Sequence, residues 1–507
     1  MDYPLSLKRN ILANYVSQIY VTLIGIVMVP FYVRHMGTEA YGLVGFFTMM
    51  QAWFQLLDMG LTPTMARATA RFNGGTSSAL ELRRLLRLLE CFFVGLGLVG
   101  ACVIFFASKT IATNWLKVQA IPLDDVKQAV ILMGVTISLR WMSGLYRGAI
   151  NGFERMVWLG GFNVGLATAR FVLVVPLFIF VGATPLVFFT YQLVVAAIEL
   201  TALVSKTYRL MPVLNASSIE KWDWAPLRSL LQFSLSIAFT SSVWVLVTQT
   251  DKLVLSKLLP LTEYAYFTLA VLVASGVTIL SGPVSTALLP RLTKIAGAAD
   301  DKALFEMYSQ ATQLVGAITI PTSLVLALFA EQVLWAWTGN ALVAHHAAPV
   351  LALYAAGNGI LTLGAFPYYL QYAKGDLKLH LRGNVLFIIV LIPALIYTTS
   401  HFGVIGAGSA WFGANLVYFL FWVPLVHRRF NANYHRTWLI RDVGGPLLVS
   451  MAAGFLMRNM ISWPENRLIV AAILVVTGFV LVMSAFLASG RLRERIPLMF
   501  FRRSTET

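Results

Sequence analysis

Apolar segments of about 20 residues recur along almost the whole of this chain, and that recurrence leaves few folds open. A segment of that length matches the hydrocarbon core of a bilayer, where each backbone N–H and C=O must find its partner inside the protein. A helix satisfies them within one segment. Fourteen spans are expected, at 10–33, 42–61, 85–108, 126–150, 157–181, 185–206, 230–250, 264–289, 310–332, 346–373, 384–400, 405–427, 443–461 and 467–489. With 58% of 507 residues hydrophobic and 12% charged, no soluble domain of this length fits. The short basic N-terminus lacks a convincing small-residue cleavage site, so no signal peptide is expected. Cys91 and Cys102 lie on one expected helix about 16 Å apart, too far to form a disulfide.

The net charge of +16 raises the question of nucleic acid, and its placement answers it. With the N-terminus inside, the cytoplasmic segments hold 28 of the 38 Lys and Arg and the outer segments hold eight. That is the positive-inside bias of a membrane protein, with both termini cytoplasmic. It uses up most of the basic excess, so no nucleic-acid partner is expected.

Arg140 and Arg170 remain, each deep inside an apolar segment. Such an arginine is costly and normally faces a protein interior or a watery cavity. Thr136, Arg140, Ser143, Arg147 and Asn151 step by three and four, which is one helix face; Asn163 and Arg170, seven apart, share another. The alternative is a structural pairing, for instance with Glu199. In the second span Thr48, Gln51, Gln55, Asp58 and Thr62 form one polar stripe, read as a cavity lining or as helix–helix hydrogen bonding. The arginine-rich stretch from Arg67 to Arg87 is expected to be a cytoplasmic loop, and 109–125 an irregular outer one.

The second half echoes the first. Thr262-Glu263 follows Thr38-Glu39 by 224 residues, and Arg291 follows Arg67 by the same offset. Ser234, Ser241, Thr248 and Lys252 in span 7 answer a stripe of Asn14, Ser17, Gln18 and Thr22 in span 1. Ser275, Thr278, Ser281 and Ser285 stand in span 8 where span 2 has its glutamines. A duplication of six spans per half places parallel repeats on either side of a site. The expected lobes are 1–215 and 216–430, joined by a cytoplasmic linker at 206–229. Two extra helices and a basic tail fill 431–507, and the tail from Arg491 to Arg503 is read as an amphipathic surface anchor. In span 10, Tyr354, Asn358, Thr362, Tyr369 and Tyr372 recur at helical spacing, with a kink expected at Pro367; aromatics beside amides suit sugar rings, and ordinary core packing is the alternative.

No phosphate loop, Cys/His metal cluster or G-x-S-x-G occurs, so no catalytic residue, metal ligand or cofactor is expected. His345-His346 is an isolated pair, and Asn215-Ala216-Ser217 is placed on the inner side, away from glycosylation.

Leu7-Lys8-Arg9-Asn10, Met36-Gly37-Thr38-Glu39-Ala40-Tyr41-Gly42, Leu56-Leu57-Asp58-Met59-Gly60-Leu61 and Thr250-Asp251-Lys252-Leu253-Val254-Leu255 resemble the polysaccharide transporter family, whose best-known members are the Wzx-type O-antigen flippases. The resemblance implies an all-α polytopic membrane protein, MATE-like, with two parallel-related six-helix lobes around a central cleft. It implies a multi-pass place in the bacterial inner (plasma) membrane, among membrane lipids, and a role in lipopolysaccharide or related polysaccharide biosynthesis. The implied substrate is an undecaprenyl-pyrophosphate-linked glycan, moved from the inner to the outer leaflet without cofactor. A polysaccharide polymerase and a chain-length regulator are the implied protein partners. Family members use a cationic cavity. The substrate-binding residues expected here are Arg140, Arg147, Arg170, Asn163, Gln51, Gln55, Asp58, Lys252, Asn358 and Tyr369.

Other readings stay open. A cation-coupled drug exporter of the same superfamily needs deep carboxylates, which span 1 lacks. A lipid II flippase shares the anionic diphosphate, and only the short motifs lean away from it. A glycan ligase or polymerase needs a larger outer segment than 109–125.

Overall fold

The computed structural model describes residues 7–212, 242–243 and 245–490. Secondary structure among them is helical, apart from one isolated bridge between Lys117 and Pro260. Eleven of the described helices are long and apolar enough to cross a membrane. One of these, Lys378–Phe430, runs 53 residues and bends at Gly403, whose φ of 57° is open to glycine, so it holds the two spans expected at 384–400 and 405–427. The second expected span is a 17-residue helix, and the seventh, 230–250, lies largely outside the described residues. The linker beyond 212 and the tail beyond 490 lie outside them too.

The chain divides into two compact units, Met1–Ala265 and Tyr266–Thr507. The lobe boundary expected near 215 falls outside the described residues. In the first unit α1 (Leu7–Met36) turns at Gly37 into α2 (Thr38–Phe54). Glu39, in the first turn of α2, reaches the segment after α4 (Ala79–Thr110) and accepts the backbone N–H groups of Gln119 and Ala120, the latter at 2.9 Å. The α2 helix tightens into a 3-10 turn at Gln55–Asp58 and stops where Met59 and Gly60 take left-handed backbone. This corrects two expectations. The polar stripe does not continue along one helix past Phe54, and Arg67 and Arg71 lie on a helix, α3 (Leu61–Asn73), rather than in a loop. A capping box of Ser78 and Glu81 then starts α4, which carries Arg83, Arg84 and Arg87.

At the centre of the unit lies α5 (Leu123–Gly152), packed against α3, α4 and α8 (Pro185–Leu210). Its membrane window is 61% buried, against 17% for the next span, Met156–Phe180. Gly144, Gly148 and Gly152, spaced by four, let α3 approach closely: a Cβ at Gly148 would stand 2.5 Å from the Thr62 carbonyl oxygen. Small residues at this spacing bring membrane helices into contact where no hydrophobic drive exists between them. Next come α6 (Met156–Ala167), a π-turn at Thr168–Val172 and α7 (Val174–Phe180). The unit closes on α9 (245–258) and the start of α10 (Leu261–Gly297).

In the second unit α11 (Asp301–Leu328), with a window also 61% buried, packs on α13 (Ala341–Gly364) and on the last two spans, α18 (Gly445–Met460) and α19 (Arg467–Ala488). Between them come α12 (Ala330–Thr338), α14 (Phe366–Ala373), α15 (Lys378–Val417), α16 (Val423–Phe430) and α17 (Tyr434–Thr437). The expected break near Pro367 is present, with the proline in the first turn of α14.

Candidate functional site

Arg140 sits on α5 about 25 Å from its start and 18 Å from its end by helical rise. Arg170 lies about 21 Å and 15 Å from the two ends of the next span, so both guanidiniums are near mid-span. A third, Arg147, stands two turns below Arg140 on the same face.

Helix α8 ties the three together through Gln192 and Glu199, seven residues apart on one face. The Glu199 carboxylate accepts Arg147 Nη2 on Oε1 at 2.6 Å and Arg170 Nη2 on Oε2 at 2.7 Å. The Gln192 amide accepts Arg140 Nη2 on its oxygen and donates through Nε2 to the Arg170 carbonyl at 3.1 Å. Arg147 Nη1 donates to Asn163, and Arg140 Nη1 donates to Gln51 at 3.4 Å. Arg140 also lies over the Phe47 ring, 5.2 Å from its centroid. The cluster thus holds three guanidiniums and one carboxylate. Its charge is strongly positive for a site inside membrane-crossing helices. The Nε atoms of Arg140 and Arg170 are buried with no hydrogen-bond partner among the described residues.

The backbone around Arg170 is specialised. A π-turn leaves carbonyl groups without the usual partner along the helix, and such turns recur at functional positions. Here three side chains supply donors: Tyr191 to Ala169 O at 2.6 Å, Gln192 to Arg170 O, and Tyr32 to Phe171 O at 2.6 Å. Tyr20 meets Thr168 Oγ1 at 2.8 Å. Helices α1 and α8 therefore fix the turn that carries Arg170.

Of the residues expected in the site, Arg140, Arg147, Arg170, Asn163 and Gln51 are brought together. The others do not bond to this cluster. Gln55 is exposed in the 3-10 turn. Asp58 accepts the backbone N–H of Thr62 at 3.2 Å and its hydroxyl, which makes it a cap for α3. The Lys252 ammonium donates to Thr248 O at 3.1 Å and Gln249 Oε1 at 3.0 Å on its own helix. In the second unit, Asn358 donates to Ala274 O at 2.9 Å and accepts Trp411 Nε1 at 3.0 Å, tying α10, α13 and α15. Tyr369 donates to Ser285 Oγ at 2.7 Å. The hydroxyl stripe of span 8 bonds back to carbonyls of its own helix.

Sequence reasoning missed Gln192, whose signal was its register with Glu199. It also missed Glu90, which accepts Tyr146 at 2.9 Å and Tyr208 at 2.8 Å and joins α4, α5 and α8. A buried group in the second unit was missed as well: Gln313 donates to Asp442 at 2.8 Å, and His427 joins Tyr308 to His435 at 2.8 and 2.9 Å.

The profile of a family described as "Polysaccharide biosynthesis protein" matches residues 7–296. A Shigella flexneri protein named "Putative O-antigen transporter" is 20% identical over 411 residues, covering 80% of this chain and 94% of that one. Among solved structures, the lipid II flippase MurJ in an inward-closed conformation superposes with a TM-score of 0.74 at 16% identity, over 96% of this chain and 99% of that one. An inward-facing multidrug resistance transporter of the MATE family superposes with a TM-score of 0.64 at 14% identity, over 81% and 96%. At these identities the structural likeness establishes the fold: a polytopic bundle of the MurJ and MATE type.

Proposed function

Because this chain belongs to the family of polysaccharide biosynthesis proteins, we propose that it is a flippase for lipid-linked oligosaccharide, moving an undecaprenyl-pyrophosphate-linked glycan unit from the inner to the outer leaflet of the bacterial plasma membrane by alternating access. The observation that carries this reading is the cluster of Arg140 and Arg170, both near mid-span, with Arg147 beside them and, among the described residues, Glu199 as the one carboxylate bonded to them. A diphosphate crossing a low-dielectric interior faces a large desolvation penalty. Guanidiniums offset it with paired, charge-assisted hydrogen bonds. A cation exporter needs the opposite balance of charge. In this reading the glycan crosses with the headgroup, and the polyprenyl tail stays in lipid. A polysaccharide polymerase acting on the exported unit, and its chain-length regulator, are the protein partners this role calls for.

The test is in cells and has two readouts. Removing the protein should make the lipid-linked glycan unit accumulate on the cytoplasmic side. Accumulation of lipid II instead would assign the chain to peptidoglycan export. Arg140→Ala and Arg170→Ala should each lower surface glycan at least tenfold at normal membrane abundance, since each removes charge-assisted hydrogen bonds of about 1.5–3 kcal/mol. Lysine at either position should keep part of the activity, because charge survives and the fork does not. Wild-type export by the double alanine variant would make the cluster structural.

A further inference from the structure

Glu199 is the one acidic residue in the cluster, and its setting is unusual for a simple structural pair. Its side chain is 4% exposed, while the side chains of the two arginines it holds are 26% and 21% exposed. The carboxylate is more deeply buried than the two arginine side chains, and each of its oxygens takes a different one. Two anionic oxygens on two guanidiniums copy the contacts that one phosphate of a diphosphate makes. Arg140 differs: among the described residues its hydrogen bonds go to the neutral amides of Gln51 and Gln192, and it lies over the Phe47 ring. Charge counting sharpens the point. Three arginines and one glutamate leave two positive charges, and a diphosphate esterified at both ends carries two negative ones.

We propose that Glu199 is the internal counter-anion of the site: it holds Arg147 and Arg170 between transport cycles and competes with the substrate's diphosphate for them, and this competition lets the substrate leave. The proposal rests on the reading of the cluster as the diphosphate site. The incoming diphosphate pairs with Arg140 without displacing a carboxylate, because the partners of Arg140 among the described residues are neutral. It then exchanges with Glu199 at Arg147 and Arg170. On the outward side the exchange reverses, and Glu199 returns to the arginines as the lipid departs. Without an internal anion, three arginines would keep a diphosphate bound, and uniformly tight binding does not speed turnover.

The experiment uses the full-length protein and a synthetic polyprenyl-diphosphate-linked N-acetylglucosamine as probe. Glu199→Gln keeps the shape and removes the charge. It should bind the probe about tenfold more tightly than wild type, while surface glycan in cells falls about tenfold at equal membrane abundance. Glu199→Asp keeps the charge with a shorter reach that spans the two arginines poorly. It should tighten binding by a smaller factor and provides the test if the glutamine variant does not fold. Binding that weakens together with export in either folded variant would make Glu199 an organiser of the arginines and overturn the proposal; so would binding unchanged from wild type. Arg170→Ala separates the two levels. If it binds the probe as wild type does, the cluster is not the diphosphate site. If it loses the probe while neither Glu199 variant tightens binding, only the counter-anion proposal fails.

Discussion

Asn358 and Arg140 are both polar groups deep in apolar helices, and their surroundings give them different work. Asn358 has its donor on Ala274 O and its acceptor on Trp411 Nε1, and it is 6% exposed. Arg140 keeps a buried Nε–H without a partner among the described residues. The first is a tie between helices; the second is half-used. Asn358→Ala should therefore cost about 1–3 kcal/mol, because it strands a buried indole N–H and a carbonyl. Thermal unfolding in detergent should show the loss, with affinity for the polyprenyl-diphosphate probe unchanged in the folded fraction. A large fall in probe affinity at wild-type stability would return Asn358 to the binding site. The arginines were legible in the sequence because a charge in an apolar segment has few innocent explanations. Asn358, Tyr369 and Asp58 were harder to place. A polar residue at helical spacing serves a ligand and a neighbouring helix equally well, and only the partner's position separates the two. For Asp58 the deciding fact was a helix end at Phe54, which the apolar run conceals.

At the scale of elements, most of the long spans were legible, as were the break between 400 and 405 and the one near Pro367, since bilayer thickness and backbone chemistry set them. The π-turn at Thr168–Val172 was not, because one extra residue in a helical turn leaves no mark in an apolar sequence. Its cause lies on other helices, in the donors of Tyr32, Tyr191 and Gln192. The packing of α5 on α3 was readable in principle from Gly144, Gly148 and Gly152. Gly148→Ala puts a methyl group 2.5 Å from the backbone oxygen of Thr62, which no rotamer change relieves. The two helices must separate, and overpacking of this kind costs about 1–3 kcal/mol. Arg147 is the next residue before Gly148, so export should fall along with the melting temperature. Gly161 and Gly165 on α6 have open space where a Cβ would go. Alanine there should leave both measurements near wild type. Equal tolerance at all three glycines would remove the close approach of α3 as a design feature of the site.

For the whole molecule, orientation and driving force are one problem. If both termini are inside, as the distribution of Lys and Arg leads us to propose, the substrate's headgroup travels outward from a cytoplasm that is electrically negative. An anion moving that way runs down the potential, at about 2.3 kcal/mol per charge per 100 mV. Two charges crossing the full field gain roughly 4–5 kcal/mol. The arginines stay with the protein while the headgroup passes, so most of that gain survives if the cluster moves little across the field. Orientation is checked by labelling from outside in intact cells, with Cys91 and Cys102, both free and exposed, first replaced by serine. A cysteine at Thr262 should react, and cysteines within 206–229 should not. Given that orientation, collapsing the membrane potential at constant pH gradient should slow appearance of surface glycan by tenfold or more. An unchanged rate would mean that the cluster carries its charges across with the lipid, and that an ion gradient drives export.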